Sequence, residues 1–150
     1  MTFLVSALIF VVTVTAYARI GETEDGIAQR YGKPIILKDG YNARHKIGSY
    51  EFKNYAITVD FIDGRSAREY FKTKDHTPLS AEERQVILAA NGDLNQWVLT
   101  AGNEVVNYWD YRLGGTLSAF FDDRRCSALL ELAGTQAFLE RAKADQARGL

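Results

Sequence analysis

The segment that decides the fold reads YAITVDFI and runs from Tyr55 to Ile62. Its odd-numbered residues are aromatic or aliphatic, and they alternate with Ala56, Thr58 and Asp60. Successive side chains of a strand point to opposite faces, so this alternation predicts a half-buried β-strand. The next residues, Asp63-Gly64, are typical of a tight hairpin turn. We therefore expect the strand to turn back and pair antiparallel with Arg65 to Lys72.

Further strands are predicted on both sides of this hairpin. Two precede it, Pro34 to Leu37 and Lys46 to Phe52, with the turn pair Asp39-Gly40 between them. Turn-forming residues also separate four short segments in the second half of the chain, where short strands at even spacing indicate antiparallel pairing. These segments are Trp97 to Thr100, Glu104 to Arg112, Thr116 to Phe121 (after the turn Gly114-Gly115) and Cys126 to Leu132.

Capping signals predict three helices. Thr23 precedes an acidic first turn, and Gly32 with Pro34 ends that helix after Tyr31. Ser80 with Glu83 forms the pattern of a capping box, and this helix closes at Asn91-Gly92. Thr135 is the predicted cap of a last helix that extends to about Arg148. The order predicts an α+β fold, in which two or three helices pack on one face of an antiparallel sheet of short strands.

The first eighteen residues are expected to be a signal peptide. Phe3 to Val14 is almost entirely apolar, and Ala16-Tyr17-Ala18 matches the small-x-small site of signal peptidase. The run is shorter than the roughly 20 apolar residues that a transmembrane helix needs. This predicts cleavage after Ala18, a single domain over residues 19–150, and a periplasmic or extracellular location in a bacterium. Because no Lys or Arg precedes Arg19, an uncleaved membrane anchor remains the alternative.

Charge and cysteine content exclude several classes of protein. With 18 basic and 19 acidic residues the net charge is −1, so no long-range attraction to nucleic acid is expected. The one cysteine, Cys126, excludes an intramolecular disulfide, and it is expected to be a small buried residue within a strand.

Catalytic and metal-binding motifs are not recognised. His45 and His76 lack a second ligand at metal-binding spacing, and each is expected at the surface or in a loop. The sequence contains neither a GxSxG elbow nor a phosphate-binding glycine loop, so we predict no catalytic residues, no metal and no cofactor. The remaining enzymatic alternative is a small hydrolase that uses a histidine with Asp60, Asp110 or Asp122.

An aromatic group on neighbouring predicted strands is the candidate binding site. It consists of Trp97, Tyr108, Trp109 and Tyr111. Such rings, if exposed together, would bind a sugar, a peptide or a protein partner. Trp109 and Tyr111 fall on one face of their strand and Tyr108 on the other, so the alternative is that one of these faces is core.

A basic run in the first half of the chain has a structural interpretation. Arg65, Arg68, Lys72 and Lys74 are interpreted as the protective charges of a solvated edge strand.

The opening of the predicted domain resembles a known group of proteins. Gly21-x-Thr23, Ile27 and Tyr31-Gly32-Lys33-Pro34 resemble the start of small bacterial envelope domains of the SmpA/OmlA type and of related β-lactamase-inhibitor-like folds. With the hairpin Phe61-Ile62-Asp63-Gly64, the opening also looks like that of many uncharacterised exported proteins. The resemblance implies a non-enzymatic exported domain that binds another envelope or extracellular protein, and it carries over no catalytic residue. This chain departs from the outer-membrane assembly members because it has no cysteine for a lipid anchor and only one helix before its strands.

Overall fold

The computed structural model describes residues 19–111 and 117–149. The predicted signal peptide and the predicted turn Gly114-Gly115 lie outside these residues. The described elements comprise three α-helices and eight strands, with a short 3-10 turn at Leu94–Gln96 before the fifth strand. In chain order they are α1 (Glu24–Tyr31), β1 (Ile36–Asp39), β2 (His45–Phe52), β3 (Tyr55–Ile62), β4 (Arg65–Thr73), α2 (Ala81–Ala90), β5 (Trp97–Gly102), β6 (Val106–Tyr111), β7 (Leu117–Asp122), β8 (Ser127–Leu132) and α3 (Thr135–Ala147).

All eight strands form one antiparallel sheet, in the order β1-β2-β3-β4-β8-β7-β6-β5. Each half is therefore a helix followed by a four-stranded meander, and β4 pairs with β8 where the halves meet. A two-fold axis normal to the sheet would exchange the two meanders and keep both helices on the same face. The predicted α+β fold with an antiparallel sheet is confirmed.

The helix starts follow the predicted caps at α1 and α2 but not at α3. The Thr23 hydroxyl accepts a hydrogen bond from the Gly26 N–H, and Ser80 forms the complete capping box with Glu83. The predicted cap Thr135 was wrong, because Gly134 occupies that position at a φ of 83°. Glycine adopts this left-handed conformation without the steric cost of a Cβ. Thr135 is the next residue, and its hydroxyl donates to the Ala67 carbonyl at 3.4 Å.

The basic run lies on a central strand, so its interpretation as an edge strand was wrong. β4 pairs with β3 on one side and β8 on the other. Arg68 of this strand forms an ion pair with Glu131 of the neighbouring β8, and Lys74, the residue after the strand, contacts Glu51 of β2 at 3.3 Å. The edges of the sheet are β1 and β5.

The main core lies between the sheet and the helices α1 and α2. Ile27 and Tyr31 of α1 and Ile87 and Leu88 of α2 belong to one buried cluster with side chains of β2 to β5, β7 and β8. The first turn of α3 contacts the opposite face, where Gln136 accepts a hydrogen bond from Arg68 at 2.5 Å. None of the helices in the described part of the chain has the length and hydropathy required to span a bilayer.

Candidate functional site

Three of the four aromatic residues predicted to bind a partner face the core. Trp97 is buried, and its indole N–H donates to the Leu88 carbonyl at 2.9 Å. Trp109 and Tyr111 are partly buried and pack against the same cluster. The Tyr111 hydroxyl also accepts a hydrogen bond from the Asp93 N–H at 3.1 Å. These side chains hold α2 and its following turn onto the sheet.

Tyr108 lies on the opposite face of β6 and is 47 % exposed. Its ring centroid is 4.6 Å from that of Phe120 on the neighbouring strand. The structure therefore does not bring the four aromatic residues together on one surface. The arrangement matches the alternative in which one face of the strand is core.

His45 is buried, so its predicted place at the surface or in a loop was wrong. It lies in β2 with 1 % of its surface exposed. Its Nδ1 accepts a hydrogen bond from the Tyr41 N–H at 3.1 Å, which leaves Nε2–H to donate to the Asp60 carboxylate at 2.8 Å. Both ring nitrogens are occupied, and this pair joins β2 to β3 across the sheet.

The other groups of the hydrolase alternative lie apart. Asp122 accepts hydrogen bonds from the N–H groups of Arg124 and Arg125, and Asp110 is exposed on β6. His76 is in a turn, where its carbonyl accepts a hydrogen bond from the Cys126 thiol at 3.1 Å. Cys126 is buried as predicted, but it lies in the left-handed turn before β8, at a φ of 52°, rather than within the strand. Within the described residues, no three His, Cys, Asp or Glu side chains are grouped as metal ligands.

A cavity of about 300 Å³ lies between α1, α2 and the turn that joins β2 to β3. We call it the aromatic cleft. Its walls are predominantly apolar, and it is partly open to solvent. The lining residues are Tyr31, Phe52, Lys53, Asn54, Tyr55, Ile57, Phe71, Glu82, Glu83, Val86 and Ile87.

Four aromatic rings set the shape of the cleft. The Tyr31 centroid is 5.8 Å from that of Phe52 and 6.3 Å from that of Phe71, which it meets edge-on. Tyr55 packs against Phe71 at 6.3 Å with an interplanar angle of 88°. Edge-to-face rings at these separations attract each other, so the wall is held by its own packing.

Acidic side chains line the α2 side of the cleft. Glu83 accepts hydrogen bonds from the Tyr55 hydroxyl and, at 2.7 Å, from the Ser80 N–H. Partial burial raises the pKa of the Glu83 carboxyl, but these hydrogen bonds outweigh it and hold the pKa below its usual range. Glu82 beside it is exposed and forms no ion pair with any described residue.

The floor of the cleft leads to a buried carboxyl group. The Tyr31 hydroxyl donates to Glu69 at 3.0 Å, and Glu69 has no exposed surface. Burial raises the pKa of the Glu69 carboxyl to about 7. Burial and the neighbouring carboxylate also raise the pKa of the Tyr31 phenol. Arg30 approaches this group from α1 and forms an ion pair with Glu22.

Sequence reasoning identified parts of the cleft but not the cleft itself. It predicted the helix that ends at Tyr31 and the strand face that Tyr55 and Ile57 share. It could not predict that α1 and α2 border the same cavity, because four strands separate the two helices in the chain. The signal that was present is the pair of aromatic residues, Phe52 and Tyr55, on either side of the Lys53-Asn54 turn.

Comparison with known proteins gives similarity to solved structures, which include two bacterial proteins. No protein-family model matches the sequence, and no curated protein matches it. An extracellular protein containing a SCP domain from Bacillus anthracis aligns over 79 % of this chain and 45 % of its own, with a TM-score of 0.45 and 8 % identity. A cysteine-rich secretory protein from Staphylococcus aureus aligns over 81 % of this chain and 46 % of its own, with a TM-score of 0.48 and 10 % identity. The chain thus spans less than half the length of either structure.

Proposed function

We propose that this chain is an exported, non-enzymatic domain that binds another envelope or extracellular protein. In this proposal the aromatic cleft receives an apolar side chain of the partner. The observation that carries it is the cleft of about 300 Å³ between two helices and a sheet, open on one side. Anchor residues of protein complexes commonly fill pockets of this kind.

Size and lining favour an apolar occupant. An apolar cavity of roughly 150 Å³ already holds a benzene ring, so the cleft is large enough for a Leu, Phe or Trp side chain. Its walls belong to regular elements, so the pocket exists before binding and little ordering entropy is lost on association. The occupant would cover Phe52, Phe71 and Val86.

The acidic residues around the cleft also predict a basic residue on the partner. Glu82 and Glu83 line the α2 side, and Glu82 forms no ion pair with any described residue. A Lys or Arg next to the apolar anchor would meet this carboxylate at a partly desolvated rim. We therefore expect a partner segment in which a large apolar residue is adjacent to a basic one.

Site-specific photocrosslinking in the native cells tests the proposal. A photoreactive phenylalanine analogue replaces Val86 at the cleft, and the matched control carries it at Gln85, an exposed neighbour on α2 that does not line the cleft. The expected result is a protein adduct of defined mass from position 86 that is absent from position 85. The proposal is overturned if position 86 yields no protein adduct, or only the adducts that position 85 yields.

A charge reversal provides a second readout. Glu82→Lys, an exposed change that leaves the core untouched, should lower the yield of the position 86 adduct several-fold because it repels a basic partner residue. Gln85→Lys adds the same charge outside the cleft and should leave the yield unchanged. Equal losses in both variants would show that the cleft rim does not select the partner.

Export is tested separately by the intact mass of the chain from its cells. A product that starts at Arg19 supports cleavage after Ala18. A product that retains residues 1–18 supports the anchored alternative, in which the same domain binds its partner at a membrane.

A further inference from the structure

The folded domain begins within two residues of the predicted cleavage site. The bond to be cut joins Ala18 to Arg19, and the next peptide group along the chain already contacts the domain. Its N–H, that of Ile20, donates to the Asn91 Oδ1 at 2.9 Å, and its carbonyl, that of Arg19, lies 3.5 Å from the Ser66 hydroxyl. The Ile20 side chain packs against the main core.

Residues 20–23 cross the start of β4, and we call them the N-terminal strap. The Gly21 N–H donates to both the carbonyl and the hydroxyl of Ser66, at 2.8 and 2.9 Å. In return, the Ser66 N–H donates to the Glu22 carbonyl at 2.8 Å. Backbone hydrogen bonds in both directions therefore join the strap to the sheet.

The strap pairs with a part of β4 that β8 does not reach. β8 pairs with β4 only from Arg68 to Lys72. Before Arg68, an antiparallel bridge joins Thr23 to Arg65, and the fully buried Ser66 bonds to the strap. Buried backbone groups need such partners, because an unpaired one costs free energy. The strap is thus an integral part of the fold.

We propose, on the basis of the export proposed above, that folding closes the cleavage site, so that signal peptidase cuts after Ala18 only while the chain is unfolded. A peptidase holds its substrate extended on both sides of the bond that it cuts, and backbone that is hydrogen-bonded within a fold resists cutting. In the folded precursor the backbone of Ile20 and Gly21 is held by the domain.

Cleavage and folding then compete for the same residues, and the faster of the two decides the product. A chain that is cut first becomes the free domain that starts at Arg19. A chain that folds first keeps residues 1–18 and stays anchored, and it is cut later only when the strap opens locally. The cleaved and anchored forms are in this way two outcomes of one kinetic step.

The time at which peptidase is added tests this order of events. The full chain is synthesised in a cell-free system, and purified bacterial signal peptidase in detergent micelles is either present during synthesis or added after folding. Intact mass should show a product that starts at Arg19 in the first case and the full-length chain in the second. Equal cleavage in the two cases overturns the proposal.

A linker variant separates the cleavage site from the strap. About eight Gly and Ser residues inserted between Arg19 and Ile20 preserve the cut bond and move it away from the fold. After folding, this chain should be cut at least about tenfold faster than the native chain, because no opening of the strap is needed. Equal rates for the two folded chains contradict the proposal. If the linker variant is never cut, even during synthesis, the predicted signal peptide itself is wrong, and the proposed timing is overturned with it.

A strained strap tests whether its hydrogen bonds provide the protection. Gly21 has a φ of 94°, and a Cβ there would meet no described atom within 4 Å, so Gly21→Ala adds strain without a collision. The folded variant should be cut several-fold faster, because cleavage follows local opening. Gly149→Ala, at another left-handed glycine with open space after α3, is the matched control and should leave the rate unchanged. Circular dichroism verifies the fold of each chain. No acceleration by Gly21→Ala, or the same acceleration by Gly149→Ala, contradicts the proposal.

Discussion

Tyr31 and Glu69 join α1 to the central strand β4 beneath the aromatic cleft. The phenol hydroxyl donates to one carboxylate oxygen at 3.0 Å, whereas the other oxygen has no hydrogen-bond partner among the described residues. A carboxylate buried in this way favours its protonated form. Arg30 and Glu22 lie close enough to influence it, the first lowering and the second raising its pKa.

Glu69→Gln should remove part of the pH dependence of stability. The pKa of Glu69 is about 7 in the folded protein, against 4.5 for an unperturbed carboxyl, so the folded chain retains a proton that the unfolded chain loses. The free energy of unfolding should therefore fall by about 3 kcal/mol as the pH rises from 4.5 to above 7. Urea unfolding of both chains at pH 4.5 and 8 measures this, and the Gln variant should lack the loss. Parallel pH profiles would contradict the assignment.

Tyr31→Phe should destabilise the protein by about 1–3 kcal/mol, because Glu69 loses its donor in a buried site. It should also raise the pKa of Glu69 further, since the hydrogen bond from Tyr31 lowers it. Tyr108→Phe removes a hydroxyl from an exposed ring and is the control. Urea unfolding at pH 7 compares them, and equal stabilities would show that the Tyr31 hydroxyl contributes nothing.

Gly40→Ala should destabilise the protein by roughly 2–4 kcal/mol. A Cβ at this position would collide with the His45 ring, which is held between the Tyr41 N–H and Asp60 and cannot move away. Gly26→Ala is the matched substitution in α1, where the added Cβ makes only ordinary contacts. It should stabilise by about 0.5–1 kcal/mol because glycine weakens a helix. Thermal unfolding distinguishes the two, and equal melting temperatures would refute the His45 argument.

Trp97→Ala and Tyr108→Ala should differ sharply although both belong to the predicted aromatic group. Trp97 is buried against α2 and donates to Leu88, so its loss should cost about 3–5 kcal/mol. Tyr108 is half exposed and loses mainly its contact with Phe120, for about 1 kcal/mol. Chemical denaturation provides the measurement. Similarly large losses of stability would mean that Tyr108 faces the core from β6.

Most elements were predictable because their signals are local. The alternation in β3, the capping box at Ser80 and the turn pair Asp63-Gly64 each involve residues within a few positions of one another. The cap of α3 was missed because a threonine resembled a cap, whereas the glycine before it adopted the left-handed conformation.

The candidate site was less predictable because burial depends on distant partners. In the sequence His45 resembles a loop residue, and only the folded structure shows that Asp60 and the Tyr41 N–H occupy its two ring nitrogens. In the sequence the basic residues of β4 resemble those of an edge strand. In the folded structure β8 pairs with β4, and Glu131 lies beside Arg68. The cleft requires α1 and α2 to border the same cavity, which no short segment encodes.

The sequence by itself determined the helices, the strands, their turns and the antiparallel α+β class, since spacing and capping act over a few residues. Only the tertiary structure decided that β4 and β8 join the two halves, that Trp97 faces the core and that β1 is left as an exposed edge. Those outcomes depend on pairing between segments far apart in the chain, where many arrangements satisfy the same local pattern and packing of the whole sheet selects one.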